Sequence, residues 1–118
     1  MKKHFFLILA AFLLLSCGFK PDEAEVRHRI NEALHIELPG GFKIIKSYNA
    51  RVIDDYLEAF IIEFTPEGYA TFNNLVELDK WEKEEQGYRH RRQLDERRKV
   101  TISVDPASRR LHYKHLHQ

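Results

Sequence analysis

Tyr56-Leu57-Glu58-Ala59-Phe60-Ile61-Ile62-Glu63-Phe64-Thr65, followed at once by Pro66-Glu67, decides the fold. β-Branched and aromatic residues dominate the first ten positions. Alternation puts Tyr56, Phe60, Ile62 and Phe64 on one side and Leu57, Ala59 and Ile61 on the other. A strand that is apolar on both faces is expected to be central in its sheet. Thr65 then offers a hydroxyl cap, Pro66 suits the first helical position, and Glu67 lies near the positive end of the helix dipole. The helix so opened is expected to bury Tyr69, Phe72, Leu75 and Val76 before fading into a charged stretch over 79–85 broken only by Trp81.

Upstream, residues 42–51 read as a partner strand, with Phe42, Ile44 and Tyr48 on one face and Ile45 on the other. The connecting turn falls between Asn49 and Asp55, with Asp54-Asp55 near its tip. An earlier helix starts at Asp22, with Glu25 completing a capping box, and puts Val26, Ile30, Ala33 and Leu34 on one face. Pro39-Gly40-Gly41 closes that element. Downstream, residues 99–105 place Val100, Ile102 and Val104 together, Asp105-Pro106-Ala107-Ser108 is turn chemistry, and 110–116 return with Leu111 and Tyr113 inward. Residues 88–94 are a weaker strand candidate. The expected fold is therefore α+β: two helices on one face of an antiparallel sheet of four or five strands, in the order α-β-β-α-β-β. At 118 residues there is room for one domain, assigned to 22–118.

The first 16 residues do not belong to it. Met1-Lys2-Lys3-His4 is positive, residues 5–15 are almost wholly Phe, Leu, Ile and Ala, and Ser16-Cys17-Gly18 is small. Cations followed by a short apolar helix and small residues are the layout of an export signal. The run is about half the 20 apolar residues that a spanning helix needs. Polar residues at helical spacing, which a buried core helix would show, are missing from it.

Leu14-Leu15-Ser16-Cys17 resembles the lipobox of bacterial lipoproteins, with an aliphatic residue three before the cysteine and a small residue just before it. The resemblance covers about the first 18 residues, and Leu15 departs from the small residue usual at its place. It implies cleavage between Ser16 and Cys17, a diacylglyceryl group on the Cys17 thiol, and often an acyl group on the new amine. The mature domain is not placed in a family by it. Cys17 is the sole cysteine, so an intramolecular disulfide is excluded and lipid attachment is its evident use. Residues 17–21 would form a lipidated end and a tether whose last four residues reach about 14 Å when extended. Gly18 differs from the aspartate that retains such proteins in the inner membrane of many Gram-negative bacteria. The resemblance thus favours an extracytoplasmic protein on the outer membrane where one exists.

Charge divides along the chain. Residues 17–85 carry 15 acids against 8 Lys or Arg, a net of −7, and residues 86–118 carry 3 against 9, a net of +6. Arg89, Arg91, Arg92, Arg97, Arg98 and Lys99 are the densest cationic group. They offer either an anion or partner contact (phospholipid or lipopolysaccharide headgroups, wall polymer, an acidic protein) or a solvated hairpin that pairs with the protein's own acids. The second is the commoner use of such runs. Nucleic acid is not an expected partner of an exported chain.

His112, His115 and His117 raise the question of a metal. On a strand His115 and His117 share a face and His112 does not, and two ligands at a chain end, where fraying is expected, fall short of a zinc site. His28 and His35 read as surface residues of the first helix. The sequence has no Gly-x-Ser-x-Gly elbow, no His-Glu-x-x-His and no phosphate-binding glycine loop, and Asp54 and Asp55 serve a turn better than acid–base catalysis. Trp81, Tyr88 and Tyr113 read as core rather than contact residues.

No catalytic residue, cofactor or metal ligand is therefore assigned beyond the covalent lipid on Cys17. The sequence points to a membrane-tethered binding module for a protein or envelope component, in the size range of immunity or inhibitor proteins. A structural accessory of an envelope assembly or transport complex is the alternative. An envelope hydrolase with a shallow site is a third, for which the sequence supplies no motif.

Overall fold

Asp22 begins the ordered architecture by accepting the Glu25 N–H on its Oδ1 at 2.7 Å, which caps helix α1, Glu23–Leu34. The computed structural model describes residues 22–118. The export segment, the Ser16–Cys17 cleavage point and the tether lie outside the described residues. Val26, Ile30 and Ala33 form the buried stripe of α1. The helix stops at Leu34, before Pro39, because His35 takes the left-handed conformation. Asn31 Oδ1 accepts the Leu38 N–H at 2.6 Å and Arg27 donates to the Leu38 carbonyl, so Leu38 folds back into the core.

Strand β1, Phe42–Val52, pairs antiparallel with β2, Asp55–Phe64. The expected facing of β1 changes along its length. A bulge at Ile45 shifts the register between Ile44 and Lys46, leaving Phe42 and Ile44 toward the helices and turning Tyr48 to the opposite face. The chain reverses through the two-residue loop Ile53-Asp54, and Ile53 adopts φ 51° at 91% exposure. A β-branched side chain is strained in that region of φ.

Helix α2, Pro66–Val76, is capped as expected, with Thr65 Oγ1 accepting from the Gly68 N–H at 3.1 Å. Gly68 must lack a side chain: a Cβ there would stand 2.7 Å from the Gly41 carbonyl oxygen. Phe72 is fully buried, whereas Leu75, expected in the same stripe, is 47% exposed.

The strand count is a correction. Glu77 ends α2 in a left-handed conformation, Leu78–Lys80 forms a 3-10 turn, and the charged stretch contains strand β3, Glu82–Glu84. It pairs with β4, Gly87–Gln93, then come β5, Arg98–Asp105, and β6, Arg110–His117. Six strands, not four or five, lie in the order β1-β2-β6-β5-β4-β3, every neighbour antiparallel. The element order is accordingly α-β-β-α-β-β-β-β, with one or two strands more than expected after α2. Periodicity missed β3 because three alternately charged residues give no apolar signal. Ion pairs of Glu84 with Arg89 and of Glu82 with Arg91 (3.7 Å) hold it instead. Strand β6 is paired on both sides as far as His117.

Both helices cover one face. Their buried residues join Phe60, Ile62 and Phe64 of β2, Val100, Ile102 and Val104 of β5, and Leu111 and Tyr113 of β6 in a single core. Phe64 stacks on Phe72 at 4.9 Å between ring centroids, and Phe60 on Tyr113 at 4.5 Å.

Two substitutions test this packing. Phe72→Ala is expected to cost about 3–5 kcal/mol of unfolding free energy in urea titration, against less than about 0.5 kcal/mol for the exposed Leu75→Ala. Ile53→Asn, suited to positive φ, is expected to stabilise the fold by about 1 kcal/mol; a loss of stability would show that the loop is unstrained.

Candidate functional site

The helix-facing side of the sheet is laid out in cross-strand rows. Ile44, Ile62, Leu111, Val104 and Tyr88 form one, and Phe60, Tyr113, Ile102 and His90 the next. The third row is Asn49, Glu58, His115, Val100 and Arg92, and the fourth is Arg51, Tyr56, His117 and Arg98. The core thus turns polar over two rows, at the end of the sheet that carries the Ile53 loop.

Glu58 and His115 are the buried polar residues of this end, 8% and 7% exposed. They are direct partners across β2 and β6. From α1, Arg29 Nε lies 3.1 Å from Glu58 Oε1, and the Tyr56 hydroxyl donates to Oε2 at 3.3 Å. A buried carboxylate is costly unless paired in this way. Arg92 reaches the C-terminal end of α1, donating to the Ala33 carbonyl at 2.9 Å and meeting His35. A cation there suits the negative end of the helix dipole.

His115 has no such compensation. Neither ring nitrogen reaches a hydrogen-bond partner among the described residues. Burial pushes its pKa down; Glu58 opposes this, while Arg29, Arg98 and His117 add to it. Burial, with Glu58 adding to it, raises the Tyr113 hydroxyl to about 12, so that group stays protonated. Arg29, Glu32, Arg98, Tyr113 and His115 line a recess of about 30 Å³ here. That volume suits about one water and is far below that of a metabolite site. A larger depression of about 420 Å³, between α2 and the β5–β6 turn, is lined by Tyr69, Asn73, Glu77, Asp79, Tyr88 and Pro106.

The six cations of the basic group are not brought to one place. Arg89 and Arg91 face away from the helices and pair with Glu84 and Glu82. Arg92 lies on the helix side. Arg97 sits in the β4–β5 turn, where its N–H and that of Arg98 donate to Asp95 Oδ1 at 2.8 and 2.9 Å. Arg98 also pairs with Asp95 Oδ2 at 2.6 Å. Lys99 is exposed on the uncovered face, without an ion pair among the described residues. Spacing along the strands conceals this scatter, since neighbours in sequence point to opposite faces.

That uncovered face carries its own rows: Lys43, Glu63, Arg110 and Asp105; then Lys46, Ile61, His112, Ser103, Arg89 and Glu82; then Tyr48, Ala59, Lys114, Thr101 and Arg91. Glu63 holds Lys43 at 3.5 Å and Arg110 at 3.1 Å. Its carboxyl lies below the usual range, chiefly through the Arg110 hydrogen bond. Lys46 and Lys114 have no ion pair among the described residues. Position along the chain did not reveal this face, because β1, β2, β5 and β6 each contribute to it. His112 lies on it, opposite to His115, and among the described residues no three of His, Cys, Asp and Glu are grouped to hold a metal ion.

Comparison of the chain with protein-family models, with curated proteins and with solved structures gave no match in any of the three.

The buried network is testable through its protons. Because burial lowers the His115 pKa, the unfolded chain binds more protons below its own histidine pKa of about 6.5, so stability falls as pH drops through that value toward the lowered folded pKa. The slope from this site is at most about 1.4 kcal/mol per pH unit, and His115→Leu is expected to remove that part of the pH dependence. NMR titration of the imidazole should move up in Arg29→Met and down in Glu58→Gln. Movement in the reverse sense would break the assignment.

Proposed function

We propose that this chain is a lipid-anchored extracytoplasmic binding module, fixed to a bacterial membrane through Cys17. One observation carries the proposal. The capping aspartate of the folded domain, Asp22, stands five positions after the cysteine of a lipobox-like segment, so export signal, attachment point and fold follow one another without a spare segment. A single acyl chain binds a membrane only marginally, each buried methylene contributing about 0.8 kcal/mol, and two or three chains on one residue make the attachment durable. The short tether then keeps the domain at the bilayer, and its partner is a protein or envelope component within reach of that surface.

The sheet supports a binding role. Helices α1 and α2 occupy one face, and the other presents Lys46, Lys99, Lys114 and the exposed ring of Tyr48. Gly18 after the cysteine favours delivery to an outer membrane where the cell has one.

Replacement of one atom tests the anchor. Cys17→Ser, expressed in a bacterial host with labelled palmitate, is expected to lose the label, to remain unprocessed by the lipoprotein peptidase, and to leave the detergent-soluble membrane fraction. Unchanged mass, processing and membrane retention would overturn the anchor.

A further inference from the structure

We propose that the outer edge of β1 is a strand-addition site for an extended, acidic segment of another protein. The proposal rests on the binding role given above and not on the lipid, so the two can fail separately.

The sheet has two edges of unequal length. β3 offers three residues and β1 eleven, and among the described strands β1 pairs with β2 alone. Beyond the bulge, residues 46–52 run in unbroken register with 61–55, a regular stretch as long as an ordinary strand. The two-residue loop makes Val52 and Asp55 a hydrogen-bonded pair, so Arg51 and Asn49 fall in the alternate pairs, and their N–H and C=O groups point away from β2. At Asn49 and Arg51 an incoming strand would meet main-chain donors and acceptors already aligned.

Side chains mark the same edge. Among the described residues four large hydrophobic side chains are exposed: Ile45 at 38%, Tyr48 at 53%, Ile53 at 91% and Leu75 at 47%. Three of the four lie on β1 or at the loop that ends it. Isolated surface hydrophobics are ordinary, but their concentration along one unburied edge marks a contact.

Charge selects the occupant. Phe42–Val52 contains Lys43, Lys46 and Arg51 and no acid. Lys43 is engaged by Glu63, and the Arg51 guanidinium lies 5.7 Å from the Tyr56 ring centre. Lys46 has no ion pair among the described residues. Pairing β1 with β1 of a second copy would join two edges that both carry cations and no acid, and edge cations are a device by which strands resist self-association. An acidic strand meets the opposite condition. Lys46 and Tyr48 project to the same face, so the complementary segment places an acid and an apolar residue two positions apart.

The test uses the full chain in detergent micelles and two synthetic eight-residue peptides, one repeating Glu-Thr-Val-Thr and one repeating Lys-Thr-Val-Thr, so that the charged and apolar residues fall two positions apart on one face. The acidic peptide is expected to bind at least tenfold more tightly by fluorescence titration, and to slow amide hydrogen exchange at Asn49 and Arg51. Lys46→Glu is expected to reverse the preference between peptides. Asn49→Pro, which removes an outward N–H, is expected to weaken acidic-peptide binding at least tenfold with the thermal midpoint of the chain unchanged. Equal affinity for the two peptides, no binding of the acidic one, protection outside β1, or concentration-dependent pairing of the chain with itself through β1 would each overturn the proposal.

Discussion

The pairing of β2 with β6 is the constraint on which the molecule depends. Through it Ile62 meets Leu111, Phe60 meets Tyr113, and Glu58 meets His115. It joins the first hairpin to the four-stranded meander, so neither half of the sheet is complete without it. The two strands are separated by α2 and three further strands, and closing so long a loop must be repaid by what the contact buries. A slip of one residue would carry every side chain of β6 to the other face and put Arg110, His112 and Lys114 into the core. The stacked rings of Phe60 and Tyr113 and the fully buried Ile62 and Leu111 fix the register against that slip.

The same register creates the polar end of the core. Glu58 and His115 are inward because they share a phase with Phe60 and Tyr113, and the helix above must answer for them. Arg29 does so for Glu58, and the Arg92 contact ties the far end of the same helix to β4. Removing one partner of a buried ion pair is usually far more damaging than replacing both by apolar groups, so such a pair specifies position more than it stabilises. Here it sets where α1 lies on the sheet, while His115 remains the group whose burial is least compensated.

Charge along the chain and charge in space are different quantities. The acidic and basic halves of the sequence meet where β3 lies beside β4, and their ion pairs make a strand from residues without apolar patterning. The basic group divides among an uncovered face, a helix end and a turn. What was legible beforehand was legible through period: the β2 alternation, the Thr65-Pro66 helix start, the Asp22 cap and the Asp105 turn all rest on neighbours within four residues. Tyr48 was misplaced because a bulge adds one residue that no alternating pattern announces, and Leu75 because helical spacing marks a stripe but not how far the sheet beneath it extends.

By itself the sequence determined the α+β class, both helix starts, four of the six strands with a weaker indication of β4, and most of the apolar residues of the core though not Leu38 or Leu78, because these follow from local sterics, capping and the burial of periodic apolar side chains. It also supplied the lipobox-like segment, which no fold is needed to read. Tertiary structure alone decided the strand order, the meeting of Glu58, His115 and Arg29, the existence of β3, and which cations share a face. Each of these depends on partners tens of residues apart, and a chain read one neighbour at a time carries no record of the register that brings them together.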